Sequence, residues 1–200
     1  MTTSFLSAPP VTAAVQALHD EDVDDVGYVM NLTHLWAHQP ETLDGLFALL
    51  GRVGAEGGFS LRERGILVAA TAASLGDSYC ALAWGSRLGN EADPALAAGV
   101  LRGTDEGLTP AEHAMATWAR AVAADPNGTT ASDVQALRDA GFDDPQIFAM
   151  TTFVALRLAF STVNDALGAA PDAALRRTAP REVQEAVTFG RPVADEDGTS

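Results

Sequence analysis

Hydrophobic residues recur at helical spacing along the whole chain, and this pattern predicts an all-α protein. No run alternates apolar and polar residues in the way that a half-exposed strand requires. Capping residues mark the helix boundaries, with proline at several starts and glycine after several ends. The predicted helices cover 11–19, 26–36, 40–50, 61–75, 78–88, 94–101, 110–124, 131–140, 146–167 and 180–189.

The most uniformly apolar helix lies in the stretch 60–89. Ser60 is a suitable N-cap, and Glu63 is placed to complete a capping box with it. The helix that follows, 61–75, is apolar on nearly every side, which is typical of a helix buried at the centre of a domain. Gly76 is placed to end this helix in the left-handed conformation.

The helix after Gly76 carries the only cysteine of the chain, Cys80. Asp77 is its predicted N-cap, so Cys80 falls in the first turn, and Trp84 follows on the same face. The helix dipole favours a thiolate at this position, whereas the Asp77 carboxylate opposes it. Cys80 therefore fits either a reactive thiolate or an inert buried thiol. Asp77 fits either a cap or an acid–base group, and Trp84 fits either a ligand platform in a pocket or a core or interface anchor.

Residues 77–84, D-S-Y-C-A-L-A-W, follow an L-R-E-R helix start and resemble the alkylhydroperoxidase (AhpD-like) and carboxymuconolactone decarboxylase family. Peroxidase members of that family carry C-x-x-C-x-x-x-H at this place, with a glutamate in the preceding helix. Asp77 stands where the first cysteine would be, Cys80 where the second would be, and Trp84 where the histidine would be. The upstream glutamate position falls on Gly65.

The resemblance implies an all-α, AhpD-like orthogonal bundle that assembles as a dimer, trimer or hexamer. It also implies a peroxidase-like oxidoreductase without a cofactor, in which Cys80 is oxidised by a hydroperoxide. A lone cysteine has no resolving partner, so an external thiol would have to reduce it again. The alternative is a protein that kept the fold and lost the redox site. Such a protein would either bind an apolar ligand without catalysis or act as a cofactor-free decarboxylase-like protein that uses Asp77.

Further polar and aromatic residues are candidates for lining a pocket beside Cys80. Arg157 and Asn164 are two turns apart on one face of a largely apolar helix, where they form either a structural network or part of the pocket. Glu63 and Arg64 are also candidates for the pocket, although Glu63 also fits the capping box and Arg64 also fits a solvated side chain. Tyr28 and His34 are placed to line the pocket edge.

His34 and His38 have the i, i+4 spacing of metal ligands, but no third ligand accompanies them, so no metal site is predicted. The sequence also lacks a glycine-rich phosphate loop and the G-x-S-x-G motif of serine hydrolases.

The formal net charge is −15, with 27 acidic and 12 basic residues, which argues against binding to nucleic acid or anionic membranes. The apolar run through 61–75 is interrupted by Thr71 and Ser74, so no membrane-spanning segment is predicted. A lone cysteine and no signal-peptide pattern at the start favour a cytoplasmic protein.

We expect one domain over 1–190, followed by a flexible acidic tail over 191–200. The helices 28–36 and 148–160 are apolar on more than one side. Excess apolar surface of this kind is typical of an interface, so the chain is expected to form a homo-oligomer.

Overall fold

A computed structural model describes residues 4–195, and this part of the chain consists of helices and loops without a strand. The predicted all-α class is therefore confirmed. The helices are α1 (Ala13–Val26), α2 (Asn31–Trp36), α3 (Pro40–Glu56), α4 (Leu61–Leu75), α5 (Ser78–Glu91), α6 (Pro94–Arg102), α7 (Pro110–Ala124), α8 (Ala131–Asp139), α9 (Asp144–Leu167), α10 (Leu175–Thr178) and α11 (Arg181–Ala186).

Helix α4 is the centre of the bundle, and α5, α6, α7 and α9 pack around it. Its middle residues, from Gly65 to Ala72, are all buried. A helix that is apolar on every side has no polar face that can be exposed to solvent, so it is buried by neighbouring helices. The prediction that 61–75 is a central buried helix is correct.

The caps predicted around α4 and α5 are present. Ser60 accepts a hydrogen bond from the Glu63 amide, and the Glu63 carboxylate accepts one from the Ser60 amide at 2.8 Å. Gly76 ends α4 in the left-handed conformation, with φ of 75°. Asp77 then caps α5. This short connection fixes the angle at which α5 leaves the central helix.

The N-terminal region differs from the prediction. The acidic segment 20–25 is helical and completes α1, which Gly27 ends with φ of 87°. The predicted helix 26–36 is correspondingly reduced to α2. The reason is a hydrogen bond from the Met30 amide to the Asp22 carboxylate at 2.8 Å, which folds the loop back onto α1.

Other boundaries shift by smaller amounts. Helix α3 continues through Gly54, which was predicted to lie in a loop. Helix α9 begins at Asp144, two residues before the predicted start, because Asp143 is its N-cap and forms the capping box with Gln146. Helix α11 ends at Ala186, and α10 was not predicted.

Helix α9 has the length and composition of a membrane-spanning helix, a property that the sequence analysis assigned to no segment. In the structure it packs against α3, α4 and α7, with Met150, Val154 and Phe160 buried. It also buries the polar side chains of Arg157 and Asn164. Its apolar character is thus that of a core helix that carries part of a polar cluster.

The segment 187–195, here called the C-terminal strap, runs back from α11 over the start of α5. The Ser78 hydroxyl donates to the Arg191 carbonyl at 2.7 Å, and the Ala194 amide donates to the Pro171 carbonyl at 2.8 Å. The first half of the predicted tail is therefore packed onto the domain. Residues 196–200 lie outside the described part of the chain.

Candidate active site

Cys80 lies in the first turn of α5, and its side chain meets α9. Its amide donates to Asp77 Oδ1 at 2.9 Å, which confirms the predicted cap. Arg157 Nη2 lies 3.5 Å from the sulfur, and Ser161 Oγ lies 3.8 Å from it. The side chain is only 2% exposed. The fold thus joins Cys80, Asp77 and Arg157, and it adds Ser161, which the sequence analysis did not single out.

The guanidinium of Arg157 is buried among aromatic rings. Its Cζ lies 5.4 Å from the ring centre of Trp84 and 5.1 Å from that of Phe160. These cation–π contacts compensate in part for the loss of water. Among the described residues, its only hydrogen-bond partner is the Cys80 sulfur, and its Nε has none. Trp84, half-buried, therefore contacts the charge that faces the thiol.

Asn164 is fully buried one turn beyond Ser161. Its Oδ1 accepts a hydrogen bond from Trp36 Nε1 at 2.8 Å, while its Nδ2 has no partner among the described residues. Trp36 stacks on Phe160 with ring centres 5.6 Å apart. Asn164 thus connects α2 to the aromatic wall behind Arg157.

Burial sets the protonation state of Cys80. It is the main cause of a thiol pKa raised to about 12, and the Asp77 carboxylate contributes to the same increase. The charge of Arg157 and the Ser161 hydroxyl act in the opposite direction, but they do not outweigh the desolvation. In this covered arrangement the cysteine is a neutral thiol, and the dipole effect considered from the sequence is not the dominant one.

A pair of carboxylates lies at the same end of the cluster. Asp77 is fully buried, and its Oδ2 has no hydrogen-bond partner among the described residues. Burial raises the pKa of Asp165 to about 6, with the charge of Asp77 contributing and Arg191 acting against it. Asp165 was not named as a site residue in the sequence analysis. Asp165 follows Ser161 by four residues, or about one helical turn, so the sequence spacing alone puts both residues on the same face of α9.

Glu63 and Arg64 have structural contacts at the start of α4. Glu63 completes the capping box, and Arg64 Nε donates to the Ser60 carbonyl at 3.4 Å. Neither has a described contact with the Cys80 cluster. The position of the family's upstream glutamate, Gly65, packs against α5: a Cβ there would lie 3.2 Å from Leu88 Cβ.

Tyr28 belongs to a second buried polar cluster, centred on Asp172. Tyr79 donates its hydroxyl proton to Asp172 Oδ2, and the Asn31 amide donates to Oδ1 at 2.8 Å. Burial and the carboxylates of Asp172 and Asp22 raise the pKa of Tyr28 to about 12. This cluster holds α1 and α2 against α5, and it has no described hydrogen bond to the Cys80 cluster.

His34 is exposed and lies against the ring of His19, with ring centres 5.3 Å apart. Partial burial, together with the nearby His19, lowers the pKa of His34. No group of three or more metal-ligating side chains occurs within residues 4–195.

No protein-family model matches the chain, and no curated protein matches it either. Several solved structures, in contrast, do match this chain. An uncharacterized peroxidase-related protein from Ralstonia eutropha JMP134, described as an alkylhydroperoxidase AhpD core, aligns over 88% of this chain and 95% of its own, with 24% identity and a TM-score of 0.78. An uncharacterized peroxidase-related protein from Silicibacter sp. TM1040 aligns over the same shares, with 20% identity and a TM-score of 0.79.

The chain is also similar to the debrominase Bmp8, solved as a cysteine-to-alanine variant in complex with 2,3,4-tribromopyrrole. This alignment covers 90% of this chain and 97% of that one, with 13% identity and a TM-score of 0.70. Identities this low show the fold alone. The chain has the AhpD-like fold, as the resemblance of residues 77–84 implied.

Proposed function

We propose that this protein is a peroxidase-related oxidoreductase that reduces hydroperoxides at Cys80 and is regenerated by an external thiol. The observation that carries the proposal is the buried Arg157 guanidinium, whose hydrogen-bond partner in the described structure is the Cys80 sulfur. Burying a guanidinium without a carboxylate partner is costly, and a merely structural cysteine does not require it. A thiolate does, because it needs a positive charge and hydrogen-bond donors.

The reaction uses the thiolate as a nucleophile towards the terminal oxygen of the hydroperoxide. The sulfur–oxygen bond forms as the oxygen–oxygen bond breaks, which leaves Cys80 as a sulfenic acid and releases an alkoxide. The alkoxide takes up the proton that the thiol lost. One external thiol then condenses with the sulfenic acid to give a mixed disulfide and water. A second external thiol attacks that disulfide, which restores Cys80 and yields the oxidised disulfide of the reductant.

Three groups stabilise the reacting thiolate: Arg157 by charge, Ser161 by donating a hydrogen bond, and the α5 N-terminus by its dipole. Asp77 holds the first turn of α5 in place through the Cys80 amide. By the sequence resemblance, Asp77 stands where the peroxidase motif has its first cysteine, so the proposed chemistry depends on a reductant from outside. The AhpD-like fold of two peroxidase-related neighbours supports this assignment.

A second candidate function is cofactor-free acid–base chemistry of the decarboxylase kind at Asp77. One observation favours it: Asp77 Oδ2 is fully buried and has no hydrogen-bond partner within residues 4–195, and its charge helps to raise the pKa of Asp165 to about 6. A carboxyl group whose pKa lies close to the working pH can both donate and accept a proton, which suits acid–base catalysis. This function would survive Cys80→Ser and be lost in Asp77→Asn, whereas peroxide reduction would show the opposite pattern.

The test is consumption of cumene hydroperoxide with excess dithiothreitol, comparing the wild type with Cys80→Ser. We expect the wild-type rate to exceed that of the variant by at least about tenfold, a difference of roughly 1.4 kcal/mol in barrier. Equal rates would contradict the proposal. If Cys80 also resists modification under all native conditions, the non-catalytic alternative, in which the protein kept the fold and lost the site, is the correct one.

We also propose that the protein acts as a homo-oligomer. Phe148 on the first turns of α9 is 75% exposed, and Phe47 on α3 is 43% exposed. Apolar surface of this kind is protected by association, and the net charge of −15 requires the contact to be mainly apolar. Light scattering during size exclusion tests this: a single species near the chain mass of 20.8 kDa at high concentration would contradict it.

A further inference from the structure

One face of α5 runs from the buried thiol to the protein surface. Cys80, Trp84 and Arg87 are spaced at i, i+4 and i+7, so they lie on the same face of the helix. Exposure increases along this face: Cys80 is 2% exposed, Trp84 is half-buried and Arg87 is exposed. Ala83 and Asn90, which flank this face, are also accessible to solvent. Solvent therefore reaches this side of α5 within about one turn of Cys80.

Other sides of α5 are packed against protein. Leu88 lies against Gly65 of α4, where a Cβ on the glycine would be 3.2 Å from the Leu88 Cβ. Gly85 lies against α11, and a Cβ built on it would be 2.9 Å from Val183 Cγ1. The C-terminal strap is bonded to the Ser78 hydroxyl. The side that carries Trp84 is thus the one left open towards solvent.

Trp84 connects the surface end of this face with the thiol. The Arg87 Cζ lies over its ring, 5.2 Å from the ring centre, and the Arg157 Cζ lies 5.4 Å from the same centre. Arg157 in turn contacts the Cys80 sulfur. One indole is therefore shared by an exposed cation and by the buried cation beside the thiol. A reactant that enters past this indole moves from the first positive charge to the second.

The charge of Arg87 is not neutralised by a neighbouring side chain. Within residues 4–195 it forms neither a hydrogen bond nor an ion pair, and its described contact is the indole of Trp84. Glu91 lies one turn further from Cys80, so Arg87 is the charge nearest to the thiol on the exposed part of this face. A guanidinium whose N–H groups are free can bind a carboxylate with two parallel hydrogen bonds.

We propose that Arg87 is a specificity-determining residue at the entrance to the Cys80 site, where it selects reactants that carry a carboxylate. The formal net charge of −15 repels anions from the molecule as a whole, so a local cation at the entrance decides whether an anionic reactant approaches. Selection matters only if Cys80 reacts, so this role in turnover rests on the proposed function. The entrance itself can be tested without turnover.

The test compares two alkylating reagents that differ in charge, the anion iodoacetate and neutral iodoacetamide. Both react with the same thiolate, so the ratio of their rates cancels the thiolate fraction and reports the approach of the reagent. At low ionic strength, the ratio of iodoacetate to iodoacetamide should fall about threefold in Arg87→Ala and about tenfold in Arg87→Glu. Arg87→Lys keeps the charge and should keep most of the ratio.

The matched control is Arg138→Ala on α8, which removes one exposed positive charge and an ion pair with Asp144. It changes the net charge as much as Arg87→Ala does, and it should leave the ratio unchanged. Equal falls in Arg138→Ala and Arg87→Ala would overturn the proposal, because net charge alone would then explain them. An unchanged ratio in Arg87→Glu would overturn it as well.

Urea dependence shows whether the reagents reach the folded protein. Passage along the Trp84 side exposes little surface, so the alkylation rate should be nearly independent of urea below the unfolding transition. A rate that rises with the full denaturant dependence of unfolding would overturn the proposal, since the thiol would then be reached only in the unfolded chain. Because Arg87 is exposed, its variants should have the urea midpoint of the wild type.

Turnover then shows which reactant is selected. The oxidant is tested with linoleic acid hydroperoxide against its methyl ester, and the reductant with mercaptoacetate against mercaptoethanol. In Arg87→Ala, a loss of rate confined to the acid of one pair identifies that reactant, and equal losses for both members of both pairs would contradict the selection. If the alkylation ratio depends on Arg87 but no hydroperoxide is consumed, the entrance exists and the proposed reaction is wrong. If hydroperoxide is consumed but the ratio does not depend on Arg87, the reaction stands and the entrance is wrong.

Discussion

Arg157 Nη2 lies 3.5 Å from the sulfur of Cys80, which puts a permanent positive charge of α9 against a thiol in the first turn of α5. Two opposing influences act on this sulfur. Burial favours the neutral thiol, whereas the guanidinium favours the thiolate. The balance depends on how much water reaches the sulfur.

Arg157→Met should separate activity from stability. The variant removes the charge that stabilises the thiolate, so hydroperoxide reduction and alkylation of Cys80 should each slow by about tenfold or more. It also removes a buried guanidinium whose Nε has no hydrogen-bond partner in the described part of the chain, so the free energy of unfolding should stay unchanged or rise by about 1–2 kcal/mol. Urea unfolding and alkylation kinetics measure the two effects. Arg157→Lys keeps the positive charge, so it should retain more of the alkylation and peroxide-reduction rates than Arg157→Met. Equal losses of rate in the two variants would contradict this account.

The alkylation rate of Cys80 should keep rising about tenfold per pH unit from pH 7 to pH 10. The reason is that the covered thiol has a pKa of about 12, so the thiolate fraction grows throughout this range. A free cysteine levels off near its ordinary pKa of about 8.5. Iodoacetamide kinetics across this range, with Cys80→Ser as a blank, make the measurement. A plateau at or below pH 9 would show that burial does not govern the thiol.

Asp77→Asn should make Cys80 more reactive at a fixed pH. The asparagine oxygen can still cap α5, but the negative charge that raises the thiol pKa is gone. Asp77→Ala also removes the charge but loses the cap, and it should lower the free energy of unfolding by about 1 kcal/mol relative to Asp77→Asn. Alkylation kinetics and urea unfolding measure both variants. Slower alkylation in Asp77→Asn would contradict this prediction.

Asp165 should make the stability depend on pH between about 4 and 6. Its folded pKa is raised to about 6, above its ordinary value, so folding favours the protonated carboxyl. That contribution is present at low pH and is lost as the pH rises through 6. Asp165→Asn mimics the protonated form, so it should match the wild type near pH 4 and be more stable than it at pH 7. Urea midpoints across this range measure the difference, with the exposed Asp24→Asn as the control. A difference that does not change with pH would contradict this assignment.

The central helix pair could be predicted because its signals are local. Ser60 with Glu63, and Asp77 with the Cys80 amide, satisfy backbone groups within one turn, so the sequence alone specifies them. The acidic segment 20–25 was misassigned because its helical state depends on Asp22 holding the Met30 amide, a contact over eight residues. The pattern of charged residues along the sequence does not indicate that the loop after α1 folds back in this way.

The site itself was predictable only in part. Cys80 and Asp77 followed from their place in one helix, whereas the approach of Arg157 spans 77 residues and depends on how α9 crosses α5. The strap was missed for a different reason. Its composition is that of a flexible tail, whereas its packing depends on Gly190 against the start of α5 and on the hydrogen bonds that Arg191 forms with Ser78 and with the Asp165 carbonyl of α9.

The most direct test of the central claim is to trap the product of the first chemical step on Cys80. The reduced protein is mixed with cumene hydroperoxide in the presence of dimedone, which reacts with sulfenic acids, and the Cys80 peptide is examined by mass spectrometry. The account predicts a dimedone adduct on Cys80 in the wild type and no adduct at this position in Cys80→Ser. Absence of the adduct in the wild type, while iodoacetamide still modifies Cys80, would contradict a peroxidase function for this cysteine.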